Sequence, residues 1–503
     1  MTRINTNVQS LIAQRALSIN NASLNQSLER LSSGLRINSG KDDPAGLITS
    51  ESLRASTRAI DTAVGNATRA DTIVAVAEGG LQEVSSLLLD LENLVDQTAN
   101  QAGVTPEEVA ANQLQIDSIL NSINRLSETT AFGDKKLLNG SLDFTTSGVN
   151  VTESTGATLN HLGKVQVNAA KIAAGTFRQV TINRVTASTQ GNISAVLGGT
   201  TATSTTVRDG TLGNTTTLQI RGEFGSQLLS FASGTSAASI ATAVNALSAL
   251  TGVKASAFLG ATGAGTPTLS ISTTNYGTDA FVSVSVLENA GSAVGNAIGV
   301  NTGKSTGTNG TFTVNGTSAI VKGLDLSVRA GDISADLTLS SSFGGGTSAL
   351  SSTSFEITGG GAVFAISPTV GLSGQESLGI GEVSTGKLGN ASVGFLSTLS
   401  SGLTNDLASK NFTTAQRIVR AAVKQVATLR GRLGGFQKDT LQSTISSLRV
   451  AGENIRAAES AIRDADFAKE TSNLTRAQIL VASAGNVLKL ANAQPQSALS
   501  LLG

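Results

Sequence analysis

The 503-residue chain has no cysteine and no tryptophan, one histidine, one methionine, one tyrosine and five prolines. Without thiols it forms no disulfide and no Cys-based zinc site, and one imidazole is too few for a multi-histidine metal centre or an HExxH motif. A Ser-His-Asp triad would have to recruit His161, which sits in Asn160-His161-Leu162-Gly163 with no acid nearby in sequence. A solvent-facing or turn-bound imidazole is the expectation there. Aromatic residues make up only 3% of the chain, so its cores have to be built from Ala, Leu, Ile and Val along extended contacts. No continuous apolar run approaches the roughly 18–20 residues of a membrane span. Residues 1–20 carry Arg3 and Arg15 among polar side chains and lack the apolar stretch of about 7–15 residues that marks a cleaved export signal. No catalytic residue, metal, cofactor or membrane insertion is expected.

The 35 basic and 35 acidic side chains balance, which gives no electrostatic footprint for nucleic acid. The balance hides a gradient. Residues 1–150 carry 11 basic and 17 acidic groups, 151–405 carry 11 of each, and 406–503 carry 13 and 7. The middle also holds 39 of the 55 glycines. Two charged, glycine-poor ends of opposite sign thus flank a neutral Gly/Ser/Thr-rich centre.

The ends read as long helices. Leu17, Leu24, Leu28, Leu31 and Leu35 follow a 7, 4, 3, 4 spacing with Asn21 at the missing position, the pattern of a narrow buried stripe. Ile60, Val64, Ala67, Val74, Ala77, Leu81, Val84, Leu88, Leu91 and Val95 continue steps of 3, 4 or 7 over 36 residues, a helix of roughly 54 Å and hence a rod. Thr105-Pro106-Glu107-Glu108 is a helix start, with a capping Thr and acids facing the helix dipole. Gly133 and Asn139-Gly140 then mark a short hairpin. Leu429, Leu433, Phe436, Leu441, Ile445, Leu448, Ile455 and Ile462 supply another seam. In 461–503, Ile479, Leu480 and Leu488 are the expected packing residues. Periodicity alone also fits an ordinary helical bundle; the opposed charge of the two ends favours their pairing with each other.

The centre reads as β. Thr215 to Ile220, Phe281 to Val286 and Thr311 to Val314 alternate in polarity between Asn-Gly pairs and runs of three glycines, with a helix near 237–250. The fold class expected is multidomain α plus β: a coiled-coil-like helical rod made by both termini, with a β-rich insert between. Its parts are an N-terminal helix at 1–40, a helical rod with a short hairpin at 41–150, the insert at 151–405, the helical return at 406–460 and a C-terminal helix at 461–503. Gly303-Lys304-Ser305 echoes a phosphate-binding loop, but Ile298 stands where its first glycine belongs, so a turn is expected. Asp332 with Asp336, and Asp464 with Asp466, read as surface or capping carboxylates. Asn-x-Ser/Thr triplets such as 390–392 are expected by chance in this composition.

Three elements at the front stand out: Ile4-Asn5-Thr6-Asn7, Leu28-Glu29-Arg30-Leu31-Ser32-Ser33-Gly34-Leu35-Arg36-Ile37-Asn38 and Lys41-Asp42-Asp43-Pro44-Ala45-Gly46. At the back are Arg463-Asp464-Ala465-Asp466-Phe467-Ala468, Leu474 to Leu480 and Gln494-Pro495-Gln496. Together they resemble bacterial flagellin over roughly 1–145 and 410–503. Leu218 to Gly222, Ala241 to Asn245 and Thr251 to Val253 look like an internal module of flagellins and hook-associated proteins. The resemblance implies a subunit that polymerises with itself into an open helical filament for motility; a hook–filament junction protein of the same family is the alternative. It further implies extracellular placement in the flagellum and passage through the flagellar type III export apparatus without a cleaved signal. An export chaperone at the C-terminal helix, and cap and hook-associated proteins, are its implied partners. The terminal segments, rich in Ala13, Ala16, Ala22, Ala482, Ala484 and Ala491, are expected to order on neighbouring subunits.

Overall fold

A computed structural model describes residues 6–148, 150–152, 158–173, 176–196, 210–212, 215–258, 268–289, 299–300, 303–331, 333–348, 350–390 and 393–500. For 150–152, 158–160, 195–196, 288–289, 299–300 and 495–500 the backbone alone is described. Ile4, Asn5, Ile298, Asp332 and Ser392, which entered the sequence reading, lie outside these residues.

Long helices occupy both ends: α1 (Val8–Ser33), α2 (Pro44–Thr98), α3 (Pro106–Thr129), α4 (Phe412–Gly435), α5 (Ser443–Arg463) and α6 (Phe467–Ser500). The chain divides into two compact units, one of residues 1–71, 365–370 and 438–503, the other of 72–364 and 371–437. From Ile60 onward the buried positions of α2 are Ile60, Ala63, Ala67, Ala70, Val74, Ala77, Leu81, Val84, Leu88, Leu91, Val95 and Thr98. Their steps alternate between 3 and 4 throughout, the 3.5-residue period of coiled-coil packing. Val64 is only half-buried; Ala63 holds that seam position, because period rather than side-chain size decides which residue faces inward.

In the first unit α1 lies along α6, and the first part of α2 along α5. Four ion pairs join acidic and basic residues far apart in sequence: Asp61 with Arg456 at 2.6 Å, Glu51 with Arg463 at 3.0 Å, Glu459 with Arg54 at 3.6 Å and Glu470 with Arg30 at 3.9 Å. Both members of the Asp61–Arg456 pair are solvent-exposed, as are Glu51 and Arg54, so these pairs select the partner and its direction more than they add stability.

In the second unit α3 starts with a full capping box: Thr105 Oγ1 accepts the Glu108 N–H, and Glu108 Oε2 accepts the Thr105 N–H. Arg420 reaches Glu92 at 2.7 Å and Arg430 reaches Glu78 at 3.7 Å. The insert forms two β-rich subdomains. One packs a five-stranded antiparallel sheet, ordered 317–318, 311–314, 178–186, 352–360 and 144–147, with a four-stranded one ordered 320–322, 325–330, 333–339 and 162–170. Phe312, Phe343, Phe355, Ile182 and Leu337 fill the core. Phe144–Ser147 already belongs to this sheet, so the β insert begins ahead of residue 151.

The other subdomain has two four-stranded sheets, ordered 226–231, 216–222, 281–289, 303–306 and 253–258, 268–273, 192–196, 299–300. Helix Ala237–Ala246 buries Ile240 and Val244 among Leu218, Ile220, Leu269 and Ile271. Gly303–Thr306 is a strand paired with 281–284 rather than the expected turn. The two subdomains meet at a narrow neck. There the Thr189 N–H donates to Thr308 O at 2.9 Å, and the Gly310 N–H donates to Ser188 Oγ at 2.9 Å. A Cβ at Gly307 would stand 2.4 Å from Thr189 O, so the two strands approach this closely only without a side chain.

Candidate interaction surface

His161, Asp464 and Asp466 are each held by contacts within the fold. His161 is fully buried rather than exposed. Its ring lies 5.3 Å from that of Phe343, and its Nε2 is 3.5 Å from Ser348 Oγ. The strand order that brings 162–170 beside 333–339 encloses it. Asp464 accepts from Ser460 Oγ at the end of α5, and Asp466 caps α6 by accepting the Ala468 and Lys469 N–H groups. Among the described residues no group of three or more His, Asp or Glu is placed to hold a metal.

One half-buried ionic cluster lies between α4 and the first β subdomain. Burial pushes the Asp143 carboxyl up from its ordinary value despite Arg432 nearby. Burial likewise pushes Lys164 and Arg432 down. Burial opposes ionisation of Asp336 too, but hydrogen bonds from Asn168 and Ser327 and the Arg329 guanidinium outweigh it and hold its carboxyl below the ordinary range.

The structure exposes an extended apolar surface on α1 and α6. These helices meet through Ser10, Ala13, Leu17, Asn20, Leu24, Ser27 and Leu31 on one side and Glu470, Asn473, Ala477, Val481, Ala484, Leu488 and Ala491 on the other, all buried or half-buried. Ser10, Ala13, Ser27, Ala477, Ala484 and Ala491 are small, which allows close approach there with little apolar area buried per residue. Polar contacts supplement it: Asn7 Nδ2 donates to Ala491 O at 2.8 Å, and Asn20 Nδ2 donates to Leu480 O at 3.3 Å. Asn20, not Asn21, therefore fills the polar seam position.

Leu28 is 48% exposed, Ile479 61% and Leu480 45%, so none of the three is covered by the α1–α6 seam. Leu35 follows the end of α1, where it bridges to Asp464. Val8, Ile12 and Ile19, at steps of 4 and 7, face away from the seam on α1, and Ile479 and Leu490 do so on α6. Phe467, Val487, Val450 and Ile48 add further exposed apolar surface in the same unit. Such helices carry two apolar stripes, one satisfied internally and one left open. The signal was present in sequence as apolar residues at helical spacing but out of phase with the leucine seam.

The link from α1 to α2 holds this surface's base. Asp42 accepts from the Ser39 hydroxyl, the Ser39 and Asn38 N–H groups and Gln26, which lowers its pKa. Asp43 caps α2 by accepting the Gly46 N–H at 2.9 Å, with Pro44 at the helix start. A Cβ at Gly46 would fall 2.4 Å from Asp43 Oδ2 and 2.7 Å from the buried Ile37. The Arg36 N–H donates to Arg463 O at 2.7 Å and the Ala465 N–H donates to Gly34 O at 2.9 Å, tying this link to the α5–α6 junction. By length and composition α2 is also apolar enough to cross a membrane; 28% of its most apolar window is buried, about what two seam positions in every seven cover.

Residues 4–143 match the model of the bacterial flagellin N-terminal helical region, and 417–502 match that of the C-terminal helical region. Flagellin E of Vibrio cholerae is 47% identical over 137 residues, which is 27% of this chain and 36% of that protein. That match spans about a third of the relative's length. Flagellin D of Vibrio anguillarum is 27% identical over 504 residues, 99% of each chain. Among solved structures, Xanthomonas campestris FlgL is 12% identical over 80% of this chain and 98% of that one, with a TM-score of 0.27.

Proposed function

Because the chain belongs to the bacterial flagellin family, carrying both its N- and C-terminal helical regions, we propose that it is a structural subunit that polymerises with itself into an extracellular flagellar filament for motility. The supporting observation is the second apolar stripe of the terminal helices. Val8, Ile12 and Ile19 on α1 and Ile479 and Leu490 on α6 are exposed in the single chain. Helices that bury little in their own seam gain more by burying a second face on a neighbour. On this reading the contact is heterologous with a rotation that does not close, so repetition builds an open helix. The terminal segments complete their packing on neighbouring subunits, and the β insert is displayed to solvent.

On the same reading, the polymerisation and helix-packing residues are Leu17, Leu24, Leu28, Leu31, Leu35, Ile60, Val64, Val74, Leu81, Leu88, Ile445, Leu448, Ile455, Ile462, Ile479, Leu480 and Leu488, joined by the open-face residues named above. The partners are further copies of the chain, an export chaperone on α6, the flagellar type III export apparatus, and cap and hook-associated proteins.

Purified protein incubated with sheared seeds of its own polymer is expected to extend them into long helical filaments by electron microscopy. Short caps or persistent monomers would instead assign the chain to the hook–filament junction. Leu490→Glu, on the open face, is expected to abolish extension while leaving the far-ultraviolet circular dichroism of the monomer unchanged.

A further inference from the structure

Residues 412–463 are helical without interruption, but not uniformly α-helical: Phe436–Gln442 forms a π turn between α4 and α5. The π form is rare, and its i→i+5 bonds enclose one residue more than the α-helical i→i+4 bonds. The burial pattern shows where the extra residue comes from. Val419, Ala422, Val426, Leu429 and Leu433 are buried at alternating steps of 3 and 4, so four seam steps take 14 residues. Leu448, Gly452, Ile455, Glu459 and Ile462, buried or half-buried, again take 14 residues in four steps. Between these blocks, Leu433, Phe436, Leu441, Ile445 and Leu448 take 15.

A strict α-helical continuation of the first block would bring Thr440, Ser443, Ser447 and Val450 to the seam. Ser443, Ser447 and Val450 are instead exposed, and Leu441 is completely buried. The chain therefore holds one residue too many for an unbroken α-helix, and the π turn absorbs it.

The composition just before the turn agrees. Gly431, Gly434 and Gly435 stand inside helical backbone, and a Cβ built on any of them meets nothing within 4 Å. Close packing does not require these glycines. Glycine is the poorest helix former apart from proline, so three in five residues weaken the α-helix where the turn begins. Beyond the turn, Thr444 and Ile445 are both half-buried, adjacent residues sharing one seam position.

We propose that residues 436–442 are a register joint. The π turn stores the surplus residue, and moving the turn along the chain exchanges which of two adjacent residues in the 441–448 stretch faces the seam, without breaking the helix. The proposal concerns conformation within the helix and stands whether or not the chain polymerises.

Deleting the exposed Lys438 from the full chain removes the surplus. The variant is expected to melt above the parent, with amide hydrogen exchange across 434–446 slowed about tenfold to the level of the flanking helix. Inserting one alanine after Lys438 is expected to lower the melting temperature. Deleting the exposed Gln82 from α2, whose seam has no surplus, supplies the reference for an ordinary helix deletion and is expected to destabilise. The proposal is overturned if losing Lys438 destabilises the chain as much as losing Gln82, or leaves exchange across 434–446 unchanged.

Discussion

The Arg456 guanidinium donates to Asp61 at 2.6 Å, joining residues 395 positions apart, and next to this pair a Cβ on Gly452 would lie 3.3 Å from Ile60 Cγ2. The two contacts separate charge from packing. Asp61→Ala is expected to cost under about 1 kcal/mol, since both charged groups are solvated. Gly452→Val overfills a buried helix contact and is expected to cost about 1–3 kcal/mol. Chemical denaturation of the two variants measures the difference; equal losses would mean that charge rather than packing holds this helix pair.

Gln113 acts as a buried clamp. Its Nε2 donates to Leu399 O at 2.9 Å, and its Oε1 accepts the Leu407 N–H at 2.9 Å. Gln113→Leu keeps much of the volume but leaves two main-chain groups without their partner, at an expected cost of about 2–3 kcal/mol. Faster amide exchange at Leu407 is the local signature to measure.

Asp143 and Asp336 are expected to act oppositely with pH. The folded-state pKa of Asp336 lies below its ordinary 3.8, so its ionisation stabilises the fold above that value, and the stabilisation is lost as pH falls through the folded value. Asp336→Asn should therefore destabilise at pH 7, by at most about 1 kcal/mol given its partial solvation, and the gap should close in strong acid. The pKa of Asp143 is raised, so its charge penalises the fold at neutral pH and the penalty is relieved as pH falls through the raised value towards 3.8. Asp143→Asn should stabilise at pH 7 and lose that advantage in acid. Thermal melts from pH 7 down to about pH 2 test both signs.

Gly435 has open space where a side chain would stand. Gly435→Ala is expected to add up to about 1 kcal/mol through helix propensity. A loss of stability in thermal melts would mean that the glycine serves the π turn's own geometry.

Much of the helical architecture was legible because one physical rule, a 3.5-residue period, writes itself into the order of residues. The identity of each seam residue was less so. Val64 is larger than Ala63, yet Ala63 lies on the period. Leu28, Ile479 and Leu480 look like core by composition but are exposed in the single chain. Which of two apolar stripes a helix buries within its own chain depends on its partner helix, and periodicity does not name the partner. The insert was legible as β but not in its pairing, because strand 144–147 lies against 352–360, some two hundred residues later. The burial of His161 follows from that kind of long-range pairing, with no local signal around it.

Because Thr189 and Thr308 are hydrogen-bonded neighbours, the subdomain holding strands 192–196 to 303–306 enters and leaves at almost the same point. It is built as a cassette: a short turn closing that gap, or an unrelated domain whose ends lie equally close, fits the same two attachment points. Sequence drift or deliberate grafting between those two residues reaches the rest of the unit through few side chains, among them Phe224 under the Arg417 guanidinium of α4 and Asp279 paired with Lys322.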